Sequence, residues 1–165
     1  MKLLFASDIH GSYPDCSKII KILNNESFDR LFLLGDILYH GPRNDLPSGY
    51  SPKNVISLLN ENKDKIFCVR GNCDTEVDQM VLEFPILADY AILYLNDKTV
   101  FMTHGHNYNN DKPPLIKKGD ILLHGHTHVQ IVDTSHDYIY INPGSVSIPK
   151  ENNPKSYMTY ENGVF

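Results

Sequence analysis

Seven side chains of metal-binding type stand just after short hydrophobic runs. Asp8 and His10 follow Lys2-Leu-Leu-Phe-Ala-Ser7, and Asp36 follows Leu31-Phe-Leu-Leu-Gly35. Asn72 follows Ile66-Phe-Cys-Val-Arg-Gly71, His104 closes Val100-Phe-Met-Thr103, and His126 and His128 follow Ile121-Leu-Leu-His-Gly125. The donors are carboxylate, amide and imidazole, with no cysteine, and the set is large enough for two ions. Asp8 and His10, two residues apart at one strand exit, can reach a single ion. Asp36 carries two oxygens and is the natural bridge between two cations. Asn72 adds a neutral carbonyl oxygen where more negative charge would bind a metal too tightly. In His126-Thr127-His128 alternate residues face one side, so each imidazole can serve a different ion. Singly, each is ordinary turn or surface chemistry; together they form a metal-site signature.

The elements that must position these groups are legible from the same runs. Short apolar stretches ended by glycine or a polar residue read as buried strands. Ligands at their ends converge on one sheet edge, where α/β folds place chemistry. Between the first strands, Pro14 suits a helix N1 position, and Cys16, Ile19, Ile20 and Leu23 form a helical stripe ending near Asn24-Asn25. A second helix starts at Ser51-Pro52, with Ser51 as N-cap and Val55, Ile56, Leu58 and Leu59 as its buried face. Helices joining such strands predict right-handed crossovers and a parallel core. Beyond Phe84 the pattern turns to strands, around 90–95, 98–103, 121–124, 129–133, 138–141 and 156–160. A mixed sheet arrangement sandwiched between helices is expected. Two long segments, Ile37 to Tyr50 and Asn107 to Gly119, follow Asp36 and His104 and read as lids or substrate-facing walls.

Length and composition fit a single domain over residues 1–165, with 41% hydrophobic and 21% charged residues. A formal charge of −5 argues against bulk electrostatic attachment to nucleic acid or an anionic membrane. It leaves room for a small phosphate substrate, because bound metal reverses the local field. Cys16, Cys68 and Cys73 are odd in number and form no C-x-x-C pair, which predicts free thiols and a cytoplasmic location. The opening Met1-Lys-Leu-Leu-Phe-Ala is too short for a signal-peptide core, and no run approaches transmembrane length. Self-association into a homo-oligomer is left open.

Asp8-x-His10, Gly35-Asp36, Gly71-Asn72, His104 and Gly125-His-Thr-His128 resemble the five-block signature of the calcineurin-like metallophosphoesterases. The likeness holds in order and spacing over nearly the whole chain. His40-Gly-Pro-Arg-Asn44, Val69-Arg-Gly-Asn-Cys-Asp74 and Asn142-Pro-Gly-Ser-Val-Ser-Ile-Pro-Lys150 narrow it to bacterial phosphodiesterases of that family. The resemblance implies an α/β fold, a four-layer α/β/β/α sandwich of two mixed sheets flanked by helices. It implies two divalent ions and Mn²⁺-favoured hydrolysis of small phosphodiesters. Asp8, His10, Asp36 and His128 would hold one ion, and Asp36, Asn72, His104 and His126 the other, with Asp36, Asn72 and His104 central to catalysis. Two cations about 3.5–4 Å apart can hold a bridging water, lower its pKa and present hydroxide in line with phosphorus. Nitrogen and oxygen ligation without thiolate favours Mn, Fe, Co, Ni or Zn over Mg or Ca.

One departure stands out. Most of the wider family has a histidine after Gly-Asn, paired with an acidic residue; here that position is Cys73, followed by Asp74. A thiol is a poor general acid, so Cys73 is expected to line the substrate wall without acting as nucleophile. The site should then prefer esters whose leaving group departs unprotonated. Arg43 is a candidate phosphate clamp through its planar fork, and His106 a substrate contact or a support for the ligands. His40 could supply the missing acid, while His124 reads as structural and His136 as turn surface. Arg70 adjoins the site, but alternation along its strand sends it to the opposite face. Asn142-Pro-Gly-Ser145 reads as a buttressing turn. A protein-binding scaffold of the same fold, as in the retromer coat, is the alternative, and the full ligand set argues against it. A nuclease lacks support, since no basic stripe with interleaved aromatics is present.

Overall fold

A computed structural model describes residues 1–165. The strands are β1 (Lys2–Ala6), β2 (Arg30–Leu33), β3 (Ile66–Cys68), β4 (Tyr90–Leu95), β5 (Lys98–Thr103), β6 (Ile121–Leu123), β7 (Gln130–Asp133), β8 (Ile139–Pro143) and β9 (Met158–Glu161). The helices are α1 (Tyr13–Asn25), α2 (Pro52–Asn60) and the short α3 (Glu76–Gln79). One sheet runs β3-β2-β1-β9, its first three strands parallel and β9 antiparallel to β1. The other runs β4-β5-β6-β8-β7, with β5, β6 and β8 parallel and the two edge strands antiparallel. Both sheets are mixed, as expected.

Strand alternation builds two cores from one sheet. Leu4, Ala6, Leu31 and Leu33 face α1 and α2, packing with Cys16, Ile19, Ile20, Leu23, Val55 and Leu59. Leu3, Phe5, Phe32 and Leu34 face the second sheet, against Val100, Met102, Ile121, Leu123 and Ile141. Because β1 and β2 bury both faces, they read as continuous apolar runs. The predicted stripe of α1 is its buried face. In α2, Val55 and Leu59 are buried while Ile56 and Leu58 are half-buried, and Ser51 stands at the N-cap without a side-chain capping bond.

The two sheets lie face to face with α1 and α2 on the outer side of the first. The layer over the second sheet is thin and irregular, and the 107–119 segment contributes to it. Tyr108 packs edge-on to Phe101 at 5.8 Å, Phe101 stacks on Tyr90 at 4.9 Å, and Tyr138 donates to Asn110 at 2.9 Å. At the C-terminus Asn162 and Gly163 both adopt positive φ, 52° and 89°, in a tight hairpin that returns Phe165 against Phe5 at 5.6 Å. No helix is long and apolar enough to cross a membrane.

Candidate metal centre

The seven expected ligands leave the C-terminal ends of β1, β2, β3, β5 and β6. Five of them have backbones in the left-handed region: Asp8 at φ 58°, His10 at 49°, Asp36 at 56°, His126 at 68° and His128 at 61°. Such conformations are uncommon outside glycine and store strain at functional sites. Neighbouring exits hold them in place: His10 donates its backbone N–H to Asp36 at 2.9 Å, Asp8 to Gly35 at 3.2 Å, and Gly125 to the carbonyl of His104 at 2.9 Å. Two glycines permit this crowding. A Cβ at Gly71 would fall on Asp36 Oδ1, and one at Gly125 on Ser7 Oγ.

The imidazoles are oriented by backbone carbonyls. His10 Nδ1 donates to Tyr39 O at 2.7 Å, His104 Nδ1 to Leu34 O at 2.6 Å, and His128 Nδ1 to Ile148 O at 2.7 Å. Carbonyls only accept, so Nδ1 carries a proton and Nε2 is the ring atom turned inward, where its lone pair is offered once a metal displaces any second proton. His10 and His128 Nε2 then face each other at 3.2 Å, and His104 Nε2 lies 3.1 Å from Asn72 Oδ1 and 3.2 Å from His126 Nδ1. Asp36 Oδ1 accepts the Cys73 N–H at 2.8 Å, leaving Oδ2 between His10 Nε2 at 3.7 Å and His104 Nε2 at 3.5 Å. Asp8 Oδ2 accepts the His126 N–H at 3.0 Å, while its buried Oδ1 has no hydrogen-bond partner. Converging lone pairs around an unpartnered carboxylate oxygen are what a cation would satisfy, and the donor set fits divalent metal. Donor atoms of Asp8, His10 and His128, and of Asp8, Asp36 and His104, lie within 4.8 Å of one another in each group.

The same residues surround the cluster with support. Ser145 and Ser147 hydroxyls donate to Asp8 O at 2.9 and 2.7 Å, and Asn142 Nδ2 donates to Gly125 O at 2.7 Å. The Asn142–Ser145 turn is thus the expected buttress. Asp74 accepts N–H groups of Asp36, Ile37 and Gly71 at 2.8, 2.9 and 2.7 Å. It braces the β2 and β3 exits, with both oxygens engaged by these backbone N–H groups. Burial would raise the Asp8 carboxyl, but His10, His128 and His104 outweigh it and hold it well below the usual range. Burial opposes charge on His104 too, yet Asp36 and Asp8 raise it to about 9. His126, half-buried beside charged His104, is lowered to about 4. Burial and Asp36 push the Cys73 thiol up to about 12, so it stays neutral.

Above the cluster lies a polar cavity of about 40 Å³, lined by Asp36, Asn72, Cys73, His126 and His128, by Gly41, Pro42, Arg43 and Asn44, and by Lys150. The segment after Asp36 therefore forms a wall. The segment after His104 contributes none of these lining residues, because the chain turns outward beyond Gly105 and packs over the second sheet. Arg43 and Cys73 reach the cavity; His106 stands beside it, its ring 5.5 Å from His104 and 6.3 Å from His126. His40 packs edge-on between Tyr39 and Tyr50, and His124 stacks on Tyr140. Arg70 turns to Asp74 O and Glu76, and His136 pairs with Asp133 in its turn. Sequence reading did not single out Lys150 and Asn44 as lining residues, although each ends a stretch that carries the family resemblance. The largest cavity, about 620 Å³, opens between the β3 and β4 edges. Its walls are mainly apolar, and none of the seven metal-type side chains reaches it.

Comparison with known proteins agrees with this geometry. Residues 1–162 match the model of the calcineurin-like phosphoesterase superfamily domain. The chain is 46% identical to phosphodiesterase YfcE of Escherichia coli K12 over 164 residues, 99% of this chain and 89% of the relative. It superposes on the YfcE structure with a TM-score of 0.95, covering 98% of this chain and 89% of that one. Phosphodiesterase MJ0936 of Methanocaldococcus jannaschii is 28% identical over 152 residues, 87% of this chain and 83% of the relative. Zinc-complexed Vps29 of Entamoeba histolytica shares the fold at 18% identity and a TM-score of 0.63, covering 99% of this chain and 87% of that one. The chain belongs to the calcineurin-like phosphoesterase superfamily.

Proposed function

We propose that the protein is a metal-dependent phosphodiesterase acting on small phosphodiesters, with residues 1–165 forming one such domain. The observation that carries this reading is the convergence of Nε2 lone pairs on Asp36 and on the unpartnered Asp8 Oδ1. The phosphodiesterase relatives at 46% and 28% identity support the substrate class. In this reading Asp8, His10 and His128 would hold one ion and Asn72, His104 and His126 the other, with Asp36 shared between them. Bound divalent ions supply an acidified water and counter-charge for the phosphate oxygens. The chain's own groups orient the ester: Arg43 faces its oxygens, Asn72 and neutral Cys73 line the wall, and His106 supports from beside His104. With no imidazole at position 73, poor leaving groups go unprotonated, which favours diesters of acidic alcohols. Mn²⁺ is the expected ion, with Fe, Co, Ni or Zn as chemical alternatives.

The test is direct. Protein stripped by chelator should lose diesterase activity and recover it with Mn²⁺ more than with Mg²⁺. Asp36→Ala and Asn72→Ala should abolish turnover with the circular dichroism spectrum intact. Unchanged turnover in both variants, or full activity without metal, would overturn the reading. A wild type that binds a partner protein but hydrolyses nothing would favour the scaffold alternative.

A further inference from the structure

The cavity over the metal-type cluster has room for little more than a phosphate group, so the ester arms of a bound diester lie at its rim. That rim carries no Phe, Tyr or Trp, and one of the ten lining residues is hydrophobic. It does offer charge. Arg43 approaches from the loop after β2 and Lys150 from beyond β8, while Asp36 is the one lining carboxylate. On the reading proposed above, which this inference deepens, a divalent pair outweighs Asp8 and Asp36 together. A simple diester carries one negative charge, leaving Arg43 and Lys150 in excess. An electrostatically matched substrate brings more anionic charge to the rim.

Lys150 is placed, not merely nearby. Its backbone N–H donates to the carbonyl of His128 at 3.1 Å, and His128 Nδ1 in turn donates to Ile148 O at 2.7 Å. Its carbonyl accepts both the backbone N–H of Asn153 at 3.0 Å and the Asn153 side chain at 2.9 Å. The two residues between, Glu151 and Asn152, are both left-handed, at φ 55° and 60°. A strained turn tied at each end fixes the Lys150 backbone against the cluster. Its ammonium, on a flexible stem, is a point charge suited to phosphate.

We propose that Lys150 is a positioning residue that recognises a second phosphate on one ester arm, so the favoured substrates are small, hydrophilic diesters carrying that extra group. The probes are propane-1,3-diol bisphosphate and propyl phosphate, which share the end that occupies the cavity and differ only in the second phosphate. Calorimetry on the Mn²⁺-loaded protein at low ionic strength should show the bisphosphate binding about tenfold tighter, as expected for one new charge-assisted contact. Lys150→Ala should bring the two affinities to within about threefold, Lys150→Arg should restore most of the preference, and added salt should shrink it in the wild type. Equal wild-type affinities, failure to bind either probe, a preference that survives Lys150→Ala, or an equal loss for both probes would overturn the proposal. Hydrolysis of bis(4-nitrophenyl) phosphate by the wild type is followed in parallel. Turnover there without any bisphosphate preference sinks the role of Lys150 alone, whereas absence of turnover of this activated diester by the Mn²⁺-loaded protein sinks the phosphodiesterase reading.

Discussion

At the scale of single residues, proton placement decides how the centre is loaded. His104 is raised to about 9 by Asp36 and Asp8, above the ordinary imidazole value near 6.5. His10 moves in the same direction. A histidine raised on folding contributes stability fully present below its unfolded value and lost as pH climbs through its folded one. The chelated protein should therefore lose melting temperature between about pH 6.5 and 9. A metal ion competes with those protons, so apparent affinity should rise through the same window. Mn²⁺ titration at pH 7.5 in two buffers of different ionisation enthalpy should reveal proton release, and identical heats would refute it. Cys73 is the second residue-scale case. With its thiol pushed to about 12, it should resist iodoacetamide at pH 8, where an ordinary cysteine reacts readily. Cys73→Ala should change turnover by less than about threefold, in contrast to the 10²–10⁴-fold expected on removing a true general acid. A Cys73→His variant would put an imidazole where the wider family has one, but Asp74 is already committed to three backbone N–H groups. The new imidazole would have no free carboxylate behind it, so any gain on alkoxide leaving groups should sit near the bottom of that range.

At the scale of elements, the site is a set of strand exits zipped together, and the Asn142–Ser147 turn after β8 does much of the zipping. Asn142 donates to Gly125 O and to Thr127 Oγ1, and its own Oδ1 accepts the Gly144 N–H at 2.9 Å. Asn142→Ala would leave the buried Gly144 N–H without its acceptor, a cost of about 1–3 kcal/mol, while the Gly125 carbonyl keeps the Thr127 N–H at 2.8 Å. The 125–128 loop carries two of the imidazoles, so metal affinity should fall about 10–100-fold, as when outer supports of metal ligands are removed. Urea unfolding and Mn²⁺ titration of this variant check both numbers. A variant with normal metal affinity would show that the turn contributes stability only.

At the scale of the whole molecule, the proposed ligands come from both sheets, so metal binding and folding are expected to be linked. Asp8, Asp36 and Asn72 leave one sheet and His104, His126 and His128 the other. An ion held across that edge can bind only the folded chain. At a hundredfold excess over Kd such an ion stabilises by about 2.7 kcal/mol. For a chain of this size that corresponds to roughly 5–10 °C in Tm. Differential scanning calorimetry with and without Mn²⁺ reads this directly, and an unchanged Tm would mean that the ions are not shared between the sheets.

The family of this protein and the candidate cluster were legible in its sequence because donor-bearing side chains are marked locally. Each Asp, Asn or His that could bind metal sits at the end of an apolar run, and strand polarity alone brings such ends to one edge. The α1 stripe and a mixed sheet arrangement follow from periodicity in the same way, whereas the division into two sheets came from the family resemblance. What the tertiary structure decided depends on contacts between residues far apart in the chain. The carbonyls that fix the imidazole protons come from Tyr39, Leu34 and Ile148, 29, 70 and 20 residues from their partners. Asp74 looked like a partner for residue 73, and only the close approach of the β2 and β3 exits turned it into a brace. Lys150 reached the cavity through one hydrogen bond to His128, a closure that no spacing in the sequence encodes. The 107–119 segment left the site because aromatic packing on Phe101 drew it outward.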